Sequence, residues 1–380
     1  MSAELILTNA RVVTRDADFT GTVVVRDGLI AEVADTPSAA PGAVDLGGDL
    51  LLPGLIEMHT DNMEKHFEPR PGVLWPNALA AAAAHDTQVI GAGITTVYDA
   101  VSVGEYRGRG MRREILNQSL AAVQHAQTNG MLRANHLFHL RCEVSDPCVV
   151  ELFEPFVDHP LTKLVSVMDH TPGQRQWSDI SKFVQYYKGE SWTPEQLEGI
   201  LAQCREDQEK YSNKHRREIV ALSRQRNLPL ASHDDATEAH VLESLADGCV
   251  ISEFPITFEA AEMARRHGQG TIMGGPNVVR GGSHSGNISA LDLARRGLLN
   301  GLSSDYVPYS LLQSVILLTE KADMALHDAV ACVSANIAAM VGLTDRGSIT
   351  PGLRADLVRV TVQDNTPLVR RVWRDGAVVY

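Results

Sequence analysis

The chain has 380 residues, 44% of them hydrophobic and 21% charged, with a formal net charge of −13. That length suits one large α/β barrel or two ordinary domains, and the composition is that of a globular protein. The acidic balance argues against a nucleic-acid surface, and every apolar run falls short of the roughly 20 residues that a membrane-spanning helix needs.

The opening MSAELILTNARVV carries neither a basic region nor a signal-like core, so a cytoplasmic location is expected. Cys142, Cys148, Cys204, Cys249 and Cys332 are scattered without a C-x-x-C pair, which indicates neither a disulfide framework nor a structural zinc knuckle. The first fifty residues read as short strands, LILTNARVVT and GTVVVRDGLIAEVAD, punctuated by Asp27-Gly28 and Pro41-Gly42. The C-terminus, ADLVRVTVQDN and LVRRVWRDGAVVY, has the same texture. Residues 1–52 and 344–380 are therefore expected to form one small β-sandwich domain built from both termini.

Between them, residues 53–343 alternate apolar runs with helical patterns. Strands are expected at LIEMHT, ITTVYDA, LFHLRCE, LVSVMDH, LPLASHD, VISEFPI, TIMGGPN and GLSSDY, and helices over 76–91, 111–129, 194–226, 236–247, 259–267 and 310–341. Eight strands alternating with helices are the arithmetic of an α/β fold of the (β/α)8 TIM type. The alternative, a doubly wound sheet, lacks a G-x-G-x-x-G after its first strand. The stretch 171–227 is a large insertion, readable either as a solvated helix pair or as a lid over the barrel mouth.

Barrel enzymes place their chemistry at the C-terminal strand ends. The first strand ends in His59-Thr60-Asp61, and alternation turns His59 and Asp61 to the same side. Later strands end in Glu143, His170, His233 and Asp305. One such residue is uninformative, but six across one barrel are costly as mere packing. Imidazoles with carboxylates suit Zn²⁺, with Mn²⁺ or Fe²⁺ as alternatives, rather than Ca²⁺. A carboxylate bridging two ions fits the set, and Asp305 is the candidate to hold a water and accept its proton.

The order H-x-D, Glu, His, His, Asp on successive strands resembles the amidohydrolase superfamily, whose first strand more often carries H-x-H. LLPGLIEMHTD is similar to that superfamily's entry into the barrel, and GSITPGLRADLVRV to its return into the small β-domain. Three further stretches, HTDNMEKHFEPRPGV, MDHTPGQRQ and GGPNVVRGGSHSGNISA, resemble the branch of diphosphatases acting on α-D-ribose 1-methylphosphonate 5-triphosphate in carbon–phosphorus lyase pathways. That resemblance implies a small phosphorylated sugar phosphonate as substrate, cleaved to the 5-phosphate and diphosphate.

The residues suit a polyanion. Lys65, His66 and Arg70 follow strand one, Arg141 precedes Glu143, and Arg175 follows His170. After strand seven comes a Gly/Ser loop with Arg280, Ser283, His284 and Asn287, able to turn amides toward an anion. The rival chemistry on the same ligands is that of a cyclic amidase or deaminase, and the rival outside catalysis is a non-catalytic member that binds phosphonate or assembles with other proteins of the pathway. Asp234 and Asp235 precede a helix and read as N-caps, with a hydrogen bond from Asp234 to a metal ligand as the alternative. Cys142 competes with Glu143 for the inward position, and Lys163 lies on the wrong rim to bridge metals. His85 and the remaining helix histidines read as structural or solvated. Self-association is left open by the sequence.

Overall fold

The computed structural model of the chain describes residues 4–104, 110–186, 192–283 and 286–380. Its sixteen strands are β1 Glu4–Val13, β2 Asp18–Arg26, β3 Leu29–Ala34, β4 Val44–Asp45, β5 Leu50–Pro53, β6 Leu55–Thr60, β7 Ile94–Val103, β8 Asn135–Glu143, β9 Thr162–Met168, β10 Leu230–His233, β11 Ile251–Glu253, β12 Gly270–Gly274, β13 Gly301–Ser303, β14 Leu357–Gln363, β15 Thr366–Arg374 and β16 Ala377–Val378.

Both termini build one mostly antiparallel sheet in the order β16-β15-β14-β5-β1-β2-β3, with β4 alongside β1. The two ends of the chain join where β5 meets β14, Leu50 opposite Val360 and Leu52 opposite Val358. Leu7, Val12, Val23, Val25, Leu51, Leu357 and Trp373 share the core of this sheet. The chain then crosses to the barrel at Gly54, where a side chain would stand 2.2 Å from the Thr95 hydroxyl and 2.9 Å from the Asp356 Cβ. Only glycine lets two sheets approach this closely.

β6 through β13 form the second sheet, eight parallel strands in sequence order. The ring closes where β13 meets β6: the Asp305 N–H donates to the His59 carbonyl at 3.2 Å and the Asp61 N–H to the Asp305 carbonyl at 3.2 Å. All eight barrel strands are those expected from the sequence.

Alternation along each strand sorts the side chains. On β8, Phe138, Leu140 and Cys142 pack into an outer core with Val123, Phe153 and Ile219. Leu137 faces the other way, into a cluster with Ile56, Tyr98, Leu164, Ala231, Ile251, Ile272 and Ile337. This apolar layer plugs the barrel below the site. The residues at even spacing above it, His139, Arg141 and Glu143, therefore point toward the mouth.

The helices are capped as their sequences dictate: Asn77 accepts from the Ala80 N–H, Thr237 from His240 and Thr257 from Ala260. The pattern over 310–341 resolves into three helices, Ser310–Lys321, Leu326–Ala331 and Ala335–Met340. The first break holds Asp323 at φ 52°, a conformation Asp tolerates better than most residues.

Candidate active site

The strand ends open into a cavity of about 590 Å³, lined among others by His59, Asp61, Glu143, His170, His233, Asp234 and Asp305. All six residues expected as metal ligands thus face one space.

Their orientations come from carboxylates behind them. Glu253, fully buried at the end of β11, accepts from His59 Nδ1 at 3.0 Å and His233 Nδ1 at 3.3 Å. Both imidazoles are thereby fixed with Nδ1 protonated and Nε2 free as a lone pair, the tautomer a metal requires. Phe254 packs its edge against both rings, 5.0 Å from His59 and 5.2 Å from His233. Glu143 accepts from His170 Nδ1 at 2.6 Å, and its other oxygen accepts from the His170 N–H and the Ser145 hydroxyl. Glu143 therefore orients His170 as well as lining the cavity. Cys142, in the outer core, does neither.

Burial sets the protonation of these groups. It pushes His233 down to about 3 and His59 well below its ordinary value. His170 moves the other way, to about 9, because Glu143 and Asp234 outweigh its burial. Burial, reinforced by the Asp61 charge, raises Asp305 to about 7. Glu57, beneath the site, is also raised to about 7 by burial, and it accepts from the backbone N–H groups of His59 and Ser304.

The site fits a cation. Asp61 Oδ1 and Asp234 Oδ2 are buried without a hydrogen-bond partner. His170 Nε2 and His233 Nε2 both lie 3.6 Å from Asp234 Oδ2, too far for a good hydrogen bond but a natural separation for atoms sharing an ion. Among the described residues, three groups bring donor atoms close enough to share an ion: His59, His139 and Glu253; His170, His233 and Asp234; and, away from the cavity, His85, Asp99 and His136.

Of the expected anion-binding residues, Lys65, Arg141, Arg280, Ser283 and Asn287 line the cavity. Arg141 Nε is buried without a partner, and its Nη1 stands 4.0 Å from Asp61 Oδ2. Lys65 reaches across the barrel seam to the Tyr306 carbonyl at 3.0 Å. His284 lies outside the described residues.

Four expectations are corrected. Arg175 is turned away from the cavity, because its guanidinium is bound to the His233 carbonyl at 3.0 Å, Asp235 at 2.7 Å and Glu243 at 3.4 Å. His66 is held by Gln88 at 2.9 Å behind the loop, and Arg70 is exposed outside the lining. Asp234 and Asp235 are not helix caps, a task that falls to Thr237.

Sequence reasoning missed Glu253 and Phe254, and ranked Asp234 as a helix cap ahead of a residue supporting the site. The signal for Glu253 was a carboxylate inside the apolar run VISEFPI, in step with the inward Ile251. Asp234, Phe254 and Asp305 all adopt left-handed backbone, φ 54°, 52° and 53°. Such conformations cost about 1–3 kcal/mol each and gather where a site demands them.

Comparison with known proteins agrees with this construction. The amidohydrolase family profile matches residues 50–380. The α-D-ribose 1-methylphosphonate 5-triphosphate diphosphatase of Escherichia coli (strain K12) is 45% identical over 99% of this chain and 100% of its own. An allantoinase of Streptomyces avermitilis is 31% identical over 27% of this chain and 24% of its own. Among solved structures, a 5-methylcytosine deaminase from Klebsiella pneumoniae liganded with phosphonocytosine superposes with a TM-score of 0.65 at 16% identity, covering 99% of this chain and 98% of that one. The chain belongs to the amidohydrolase family. No helix among the described residues is long and apolar enough to cross a membrane.

Proposed function

We propose that the protein hydrolyses α-D-ribose 1-methylphosphonate 5-triphosphate to the 5-phosphate and diphosphate. The observation that carries this reading is the pairing, in one cavity, of a cation-ready histidine–carboxylate cradle with the cationic side chains Lys65, Arg141 and Arg280. Hydrolysis of a neutral cyclic amide or base gives those cations no work. The 45% identity to the Escherichia coli diphosphatase over nearly the whole chain supports the same substrate.

The residues that would hold metal are His59, Asp61, Glu143, His170, His233 and Asp305, with Asp234 between the two histidines; the donor set suits two divalent ions, zinc first, then manganese or iron. When bound, such ions lower the pKa of a coordinated water from 15.7 toward roughly 7 and offset charge on the phosphates.

The chain's own groups supply the rest. Asp305, held near neutrality by burial, accepts the proton of the attacking water. Arg141 and Lys65 bind the phosphate oxygens and stabilise the charge that develops on the departing diphosphate. Arg280, Ser283 and Asn287 line the same cavity and orient the remaining anionic groups. Glu253, Glu143 and Phe254 keep the three imidazoles from rotating. The deciding experiment is diphosphate release from this substrate by chelator-treated protein, before and after divalent metal is restored. Metal-replete protein that releases none overturns the reading.

A further inference from the structure

The insertion between β9 and β10 is bonded to the two strand ends it joins, and at each end the bonds fall beside a histidine of the site. Asp169 immediately precedes His170. Its Oδ1 accepts from the Thr171 N–H at 3.1 Å, and its Oδ2 accepts from Gln208 Nε2 at 3.0 Å and from the Ser212 hydroxyl at 3.1 Å. Gln208 and Ser212 are the first and last residues of a π-helical turn between the helices Pro194–Asp207 and Asn213–Gln225. Such turns are rare and concentrate at functional sites.

At the other end stands Arg175, left-handed at φ 44° and only 6% exposed. One arm of its guanidinium donates to the His233 carbonyl and to Asp235 Oδ1. Asp235 Oδ2 in turn accepts from the Ser232 hydroxyl at 2.5 Å. The residues on both sides of His233 are thus tied to the insertion through one rigid fork. Beyond Arg175, Gln176 and Trp177 line the cavity wall.

We propose that the insertion is a positioning element for the metal-binding histidines, acting on His170 through Asp169, Gln208 and Ser212 and on His233 through Arg175 and Asp235. The inference rests on the reading of His170 and His233 as metal ligands. Glu143 and Glu253 fix how those two rings are turned. The insertion fixes where their backbones stand, so the two sets of bonds are complementary. Outer contacts of this kind are worth about 10–100-fold in metal affinity. A hinged lid would have to break both grips on each opening, and with them the ligand geometry.

The test is zinc affinity, read by competition with a chromophoric chelator, for Arg175→Lys and for the double variant Gln208→Ala/Ser212→Ala. Arg175→Lys keeps the charge and loses the fork. The double variant leaves the Arg175 grip untouched. Each is expected to raise the zinc dissociation constant about 10–100-fold in protein that is folded by circular dichroism. A purely structural role would lower the melting temperature of the metal-free protein and leave that constant alone, which overturns the proposal. His170→Ala and His233→Ala separate the two readings. If they weaken binding while the insertion variants stay within twofold of the parent, the positioning role alone fails. If they too leave binding unchanged, the ligand assignment fails and takes the positioning role with it.

Discussion

Two buried clusters in this molecule share a vocabulary of histidine and aspartate and behave oppositely. One is the cavity set described above. The other lies between the helix Ala78–Gly91 and the outer faces of β7 and β8. There Asp99 accepts from His85 Nε2 at 2.7 Å and from His136 Nδ1 at 2.8 Å, and Asp86 accepts from His136 Nε2 at 3.3 Å. Asn62 closes the other end, meeting His85 Nδ1 at 3.2 Å and Gln88 at 3.0 Å. Each oxygen of Asp99 already has its own imidazole donor. His136 donates from both ring nitrogens to carboxylates and is therefore a cation, in keeping with a pKa raised to about 9. The cavity set instead leaves Asp61 Oδ1, Asp234 Oδ2 and Arg141 Nε without partners. Composition alone would nominate both clusters as metal sites; hydrogen-bond accounting assigns the sealed one to architecture and the incomplete one to chemistry.

The contrast can be broken by experiment. Asp305→Asn removes the proton acceptor from the incomplete cluster and should lower kcat by about 10²–10⁴-fold in a diphosphate-release assay; activity within a few-fold of the parent would remove Asp305 from that role. Asp99→Asn opens the sealed cluster and should cost about 3–5 kcal/mol in urea unfolding, because it removes the buried carboxylate that pairs with the His136 cation and leaves an amide NH₂ facing the N–H of one of the two imidazoles. Its bound metal per chain should equal that of the parent, and a fall would mean that the two clusters are not separate. Arg141→Ala leaves the fold intact and removes a charged hydrogen bond to substrate, so kcat/KM should fall about 10–100-fold; an unchanged value would take Arg141 off the substrate.

The smallest effect concerns pH. The folded-state pKa of His136 lies above its ordinary value of 6.5, so its contribution is complete below 6.5 and is lost as pH rises through about 9. Burial alone would lower that pKa; the Asp99 charge, first among the opposing influences, outweighs it only together with the hydrogen bonds to Asp86 and Asp99 and the Asp86 charge. Melting temperature should therefore decline across that window in the parent and decline less in His136→Gln. Parallel curves would show that His136 is not a buried cation.

Much of the architecture was legible because the barrel strands are short apolar runs punctuated by helices, and strand alternation is a local property. It placed His59 with Asp61 and allowed only one of Cys142 and Glu143 to face the mouth, a choice the structure makes for Glu143. What sequence could not supply was pairing across long separations. Arg175 looked like a free cation because its partners lie 58 and 60 residues further on, at His233 and Asp235. Asp234 looked like a helix cap because nothing local reveals its left-handed backbone or its place between two imidazoles. Glu253 was overlooked because its strand is only three residues long, and its importance appears only once two histidines arrive from other strands.

The barrel seam carries a consequence for synthesis. Asp305 meets the His59–Asp61 segment across 245 residues, with the Thr60 hydroxyl donating to its carbonyl at 2.9 Å. A ribosome adding about 5–20 residues per second needs roughly 10–50 s to travel that distance. Through that interval the nascent chain holds His59 and Asp61 without Asp305. An unfinished or prematurely terminated chain can therefore gather some of the proposed ligands, but on the proposed mechanism it has no means of turning over substrate.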